Sequence, residues 1–212
     1  MNSFALTAAK RAFTPRRGLL SLLAVALSLF LVAPSTRAGA APTAVPAKAY
    51  DHVYLLRGAF NIFSLGMDEI ADRLQGRGAR ITVANFLSWE SLADEAIVEY
   101  KSGKVRTIIL VGHSSGANAI AEMAARLGQH GVPVKLAIGL DPTSHMVASG
   151  HVDRYVNYYI AGGMGLAVAR GKQFTGVLQN IDVEKNPALN HFNIDKNRAL
   201  QDRVVSEIRA AL

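Results

Sequence analysis

A three-layer α/β/α sandwich around a mostly parallel central sheet is the fold class that this 212-residue sequence predicts. Two observations carry the prediction. Short apolar runs suited to strands buried on both faces alternate with segments whose apolar residues recur at helical spacing, which is the pattern of a parallel sheet covered by helices. Glycine stands just past several of those helical segments, where a left-handed cap is needed. Half of the residues are hydrophobic, enough for one domain with a sizeable core.

The elements follow in order. His52 to Leu56 reads as the first strand, and Leu65, Met67, Ile70 and Leu74 mark a helix that ends before Gly76. Ile81 to Ala84 is the second strand, and Trp89, Leu92, Ala96, Ile97 and Tyr100 give a helix closed by Gly103. Val105 to Val111 is the third, followed by a helix on Ile120, Met123, Ala124 and Leu127 with Gly128 at its expected end. Val134 to Leu140, Tyr155 to Ile160 and Val177 to Val183 complete the strands. Leu200, Val204, Ile208 and Ala211 predict a terminal amphipathic helix.

The first forty residues differ in kind. Lys10, Arg11, Arg16, Arg17 and Arg37 occur with no acidic residue, then come an apolar run from Leu19 to Ala33 and the small residues Ala38-Gly39-Ala40. Residues 1–40 therefore read as a secretory signal peptide, cleaved near Ala38 or Ala40. The alternative is a retained membrane anchor, for which the run is short, since a span needs roughly 20 residues. Arg16-Arg17 ahead of Gly18-Leu19-Leu20 also resembles a twin-arginine export signal, with Pro15 where a hydroxyl residue is usual. Residues 41–49 read as an extended linker, and residues 50–212 as a single folded unit.

Without the leader the charge is nearly balanced. Five of the 23 basic residues and none of the 16 acidic ones lie in residues 1–40, which leaves 18 against 16. No basic stripe remains, so a nucleic-acid partner is not expected. The chain has no cysteine, which excludes disulfides, thiol nucleophiles, thiolate metal sites and lipidation on cysteine.

Where the third strand meets its helix the text is Gly112-His113-Ser114-Ser115-Gly116. It matches the G-x-S-x-G nucleophile elbow, in which a strand-to-helix turn is so sharp that only small residues fit two places before and after the serine. The hydroxyl then projects from the turn, beside free N–H groups at the helix start. No lysine follows as in a P-loop, and the glycines do not fit the dinucleotide fingerprint. With this context the chain resembles the α/β-hydrolase superfamily across residues 50–212. The resemblance implies a serine, an acid and a histidine in that chain order, each beyond a strand.

Asp141, between Leu140 and Pro142 at the end of the fourth strand, is the expected acid, with Asp153 and Asp182 in reserve. His191, in the turn-rich stretch between the last strand and the last helix, is the expected base. His145 and His151 are the alternatives, while His52, His113 and His130 read as structural. A metal at His145 and His151 is disfavoured, because no third ligand keeps spacing with them. The resemblance places the oxyanion donors at the N–H of Ser115 and in the loop after the first strand. There Arg57-Gly58 stands where lipases often have His-Gly, so the second donor is Ala59, with Phe60 as runner-up.

These residues imply an exported, periplasmic or secreted serine hydrolase acting on a small-molecule or lipid acyl ester or thioester, with no metal and no cofactor. Phe60, Phe63 and Met164 are candidates to line an acyl pocket. The glycine-rich stretch from Ala161 to Gly171 is either a mobile acyl-contacting flap or a packed loop. The competing expectation is a protein that keeps the fold without turnover and touches an envelope lipid peripherally through that stretch.

Overall fold

A computed structural model describes residues 48–59, 64–76 and 78–212. The leader and most of the linker lie outside the described residues; residues 48 and 49 enter the first strand without regular structure. The elements are β1 (Tyr50–Arg57), α1 (Gly66–Leu74), β2 (Ala79–Asn85), α2 (Trp89–Lys101), β3 (Val105–His113), α3 (Ser115–Gln129), β4 (Val134–Leu140), β5 (Val147–Ala148), β6 (Val152–Tyr159), β7 (Ala169–Arg170), β8 (Val177–Asp182) and α4 (Arg198–Ala211). A 3₁₀ turn, Phe86–Ser88, leads into α2, with the Asn85 side chain accepting from the Leu87 N–H.

Six strands form the main sheet in the order β2-β1-β3-β4-β6-β8. Every neighbouring pair is parallel. Each of the six apolar runs is thus a strand, with ends moved by at most three residues. Within β1, period-two alternation divides the core. Tyr54 and Leu56 face a layer containing Ala96, Ile97, Ile120, Met123 and Leu127 of α2 and α3. Val53 and Leu55 face the opposite layer, with Met67, Ile70 and Leu74 of α1 and Val204 and Ile208 of α4. Such fully buried aliphatic side chains each stabilise the fold by about 1.5–3 kcal/mol relative to exposure.

Two details depart from expectation. Gly128 lies inside α3 rather than beyond it, and the left-handed residue that follows the helix is Gly131, with φ 72°. The reason for a glycine at 128 is close approach: a Cβ there would collide with the Cα of Gly150. The second departure is the parallel β5–β7 pair, which joins the stretch after β4 to the stretch after β6.

The strand order also locates a crevice. The chain leaves β1 for β2 on one side and later builds β3, β4, β6 and β8 on the other. The order therefore reverses between β1 and β3. In open α/β sheets, ligands bind beyond the carboxyl ends of the strands at such a reversal.

Candidate active site

Ser114 stands at that reversal. It follows β3, adopts φ 58° and ψ −123°, and precedes the first residue of α3. This is a conformation that non-glycine residues rarely occupy, with a cost of order 1–3 kcal/mol. Packing enforces it. A Cβ on Gly112 would overlap the carbonyl oxygen of Gly116, and one on Gly116 would overlap that of Leu56. The first helical bonds are made by Ala117 and Asn118, whose N–H groups donate to the Ser114 carbonyl at 2.9 and 3.1 Å. The N–H groups of Ser115 and Gly116 come before them and have no acceptor within the helix.

Asp141 and His191 meet the serine. With Nδ1–H donated to Asp141 Oδ2 at 2.7 Å, the imidazole of His191 turns a bare Nε2 to the Ser114 hydroxyl at 2.9 Å. Asp141 is fully buried at the end of β4, the strand beside β3. Its other oxygen, Oδ1, accepts the N–H of Ile160 at 2.8 Å, and its backbone is left-handed at φ 55°. The side chain of Asn118 grips the Thr143 and Ser144 N–H groups just beyond it.

The reserves stand elsewhere. Asp153 lies within β6, rather than ahead of it, and pairs with Lys135 at 2.9 Å; Asp182 accepts from the Ala161 and Glu184 N–H groups. His145 and His151 are exposed, and the histidine in bond with Ser114 is His191. His52 is buried near the start of β1, bonded to Thr82 and Glu99, and burial holds its imidazole down at about 4.

Among the described residues, the cleft above Ser114 is lined by Gly58, Ala59, Ser64, His113, His191 and Phe192. Ala59, the expected second donor, borders it; Phe60 and Phe63 lie outside the described residues. Arg57 turns away from the cleft and clasps Asp68 of α1, donating through Nε at 2.8 Å, so its guanidinium anchors the loop after β1 to α1. Met164 is 54% exposed and is not among the lining residues.

The later part of the stretch from Ala161 to Gly171 is tied to the sheet by hydrogen bonds, while residues 161–164 are exposed. The Leu166 N–H donates to the Pro142 carbonyl, Asn157 holds the Leu166 carbonyl, and Asn180 bonds both the N–H and the carbonyl of Val168. Gly165 seals the acid: a Cβ there would collide with Asp141 Oδ1 and press on the Ile160 N–H. Gly165→Ala is expected to displace the carboxylate and lower ester turnover by roughly 10²-fold, the scale of an ångström misplacement, with KM little changed. Steady-state kinetics on a short acyl ester check this.

Three further buried polar residues stand at or beside the site; the sequence reading took His113 as structural and did not name Ser64 or Asp195. His113, 2% exposed, faces Ser64 Oγ with Nδ1 at 2.9 Å and donates Nε2–H to the carbonyl of His191 at 2.8 Å. Ser64 Oγ also accepts the Gly58 N–H at 3.0 Å. Burial pushes the His113 imidazole down to about 4, so it is neutral at pH 7. The third is Asp195, fully buried, whose Oδ2 accepts the Gly66 N–H at 3.1 Å while Oδ1 has no partner among the described residues. The clue that points to them is chemical: a buried polar side chain must find partners.

Burial, opposed by the nearby Lys196, raises the Asp195 carboxyl to about 6. A carboxyl raised on folding binds more protons in the native state, so the penalty is absent below the unfolded value near 4 and complete above 6. Asp195→Asn keeps an oxygen for the Gly66 N–H and loses the charge. It is expected to raise Tm by several degrees at pH 8, corresponding to at most roughly 3 kcal/mol. The gain disappears at pH 4, which calorimetry at the two pH values would read.

No family model matches the chain, and no curated protein matches it. Solved structures do. Est1E from Butyrivibrio proteoclasticus is 12% identical with a TM-score of 0.50, covering 78% of this chain and 89% of that one. The esterase domain from a Rhodothermus marinus protein is 13% identical with a TM-score of 0.50 over the same shares. With its parallel sheet order, its glycine-flanked serine at the strand reversal and these structural likenesses, the chain has the α/β-hydrolase fold.

Proposed function

We propose that this chain is an exported serine hydrolase that cleaves carboxylic ester or thioester bonds through an acyl-enzyme. The observation that carries the reading is the line from Asp141 to His191 to Ser114, with contacts of 2.7 and 2.9 Å and with Nδ1 and Nε2 in opposite roles. His191 takes the Ser114 proton as Oγ bonds to the acyl carbon. The carbonyl electrons move to oxygen, which the Ser115 and Ala59 N–H groups stabilise. The tetrahedral adduct collapses, the C–O or C–S bond to the leaving group breaks, and His191 returns the proton to that group. Water then repeats the sequence, with His191 as base, and releases the acid.

Ester chemistry is supported further by the esterase domain among the structures of like fold, and export by the basic, apolar and small-residue order of the leader. Periplasmic or secreted placement follows from that leader. A screen of the purified chain from residue 41 onward over short and long p-nitrophenyl esters, acyl thioesters and phospholipids tests the reading and ranks the substrates. Turnover of at least one acyl class is the expected result. A folded protein that hydrolyses none of them and resists a fluorophosphonate overturns it in favour of an acyl-lipid binding protein without turnover.

A further inference from the structure

The described residues include a second hydrogen-bonded line besides the side-chain line of Asp141, His191 and Ser114. It is directional. The carbonyl of His191 can only accept, so Nε2 of His113 carries the proton. In the neutral ring Nδ1 is then bare and accepts the Ser64 hydroxyl, and Ser64 Oγ in turn accepts the Gly58 N–H. One chain of bonds therefore runs from Gly58 N–H through Ser64 and His113 to the His191 carbonyl. It joins the loop after β1, the end of β3 and the turn before α4, segments 49 and 78 residues apart in sequence.

What this line fixes is specific. Gly58 adjoins Ala59, and its Cα approaches the Ser114 Cβ so closely that an added Cβ would lie 3.1 Å from it. The His191 carbonyl belongs to the residue whose imidazole meets Ser114. The turn carrying His191 is bonded within itself through Asn190 and Asn193, and the His113 bond ties its main chain to the sheet. The two rings lie 5.2 Å apart between centroids, tilted at 37°.

Resting on the serine-hydrolase reading above, we propose that His113 is a positioning residue: its Nε2–H holds the main chain of His191, and its Nδ1, through Ser64, holds the Gly58–Ala59 loop, setting base and oxyanion donor at one spacing from Ser114. The residue at the variable position of the elbow thereby acts on turnover through the main chains it holds.

Four variants test this with ester kinetics, fluorophosphonate labelling rate and circular dichroism. His113→Leu removes both bonds and is expected to lower kcat by roughly 10²-fold, with KM within about threefold, as for an ångström misplacement. His113→Gln restores a donor near the Nε2 position and is expected to recover at least about tenfold of that loss, a rescue that packing alone would not give. Ser64→Ala is expected to lower kcat by about tenfold. In the Ser64→Ala/His113→Gln double variant the losses do not multiply, because both cut the same link. A folded His113→Leu with kcat within twofold of wild type, leucine and glutamine variants equally slow, or multiplying losses in the double variant overturns the proposal. Should His113→Leu fail to fold, the comparison of the double variant with its singles decides it. An unlabelled, inactive wild type overturns the hydrolase reading and this inference together, whereas a labelled wild type with unaffected variants overturns the inference alone.

Discussion

Ser114→Ala is expected to abolish fluorophosphonate labelling and to lower ester turnover by at least on the order of 10⁴-fold, while leaving the chain folded. The size follows from the arrangement. Ser114 Oγ is the atom in bond with His191 Nε2 at 2.9 Å, and it stands at the mouth of the crevice that the strand order opens between β1 and β3. Ser115 is the only other hydroxyl in the elbow, and it is the first residue of α3, past the turn that projects Ser114. It cannot take over without unwinding the helix start. Stability supplies a second readout. At φ 58° and ψ −123° the Ser114 backbone is strained, and Ser114→Gly relieves that strain at a smaller entropic cost. The glycine variant is therefore inactive and melts higher than wild type, by about 1 kcal/mol of added stability. Labelling at a residue other than Ser114 in the alanine variant would assign the nucleophile elsewhere, and a glycine variant that melts lower would remove the strain argument.

Much of the fold is legible in sequence because parallel strands buried on both faces must be apolar at every position. Ile108 to Val111 and Leu136 to Leu140 announce themselves without any alternation. The elbow is legible for a related reason. Its glycines answer to main chain at close range, so their spacing is forced by local geometry. Asp141 could be chosen because it stands at the exit of β4, the neighbour of β3, and His191 because it lies in the turn-rich stretch between the last strand and the last helix, which can reach back to the same sheet edge. The β5–β7 pair escaped, since two residues on each side leave no period to read. Gly128 escaped as well: its neighbour Gly150 is in contact through folding alone, and the sequence offers only a glycine near a helix end. His113 is the most instructive case. The G-x-S-x-G pattern places no demand on its second position, and both partners, Ser64 and the His191 carbonyl, come from distant loops. It read as structural because it fills the position that the elbow pattern leaves open.

The acid offers the sharper discrimination. Asp141→Asn is expected to lower kcat by roughly 10⁴-fold, although the side chain keeps its size. Asp141 Oδ1 accepts the Ile160 N–H at 2.8 Å and Oδ2 accepts His191 Nδ1–H at 2.7 Å, so the buried carboxylate uses both oxygens as acceptors. An asparagine has one acceptor. Placing its NH₂ toward Ile160 sets donor against donor in a dry site, so the amide oxygen must face Ile160 and the NH₂ must face His191. Nδ1 of His191 is then obliged to be bare, the ring proton moves to Nε2, and Ser114 loses its base. Asp141→Ala leaves the tautomer free and admits water, so it is expected to be no slower than the asparagine variant, even though it melts lower. The order of the two variants in kcat, opposite to their order in Tm, separates tautomer control from simple loss of packing. An asparagine variant keeping a tenth or more of wild-type turnover would move the acid to another carboxylate. Asp182 would be the next to replace, because its Oδ1 accepts the N–H of Ala161, next along the chain to the Ile160 N–H that bonds Asp141.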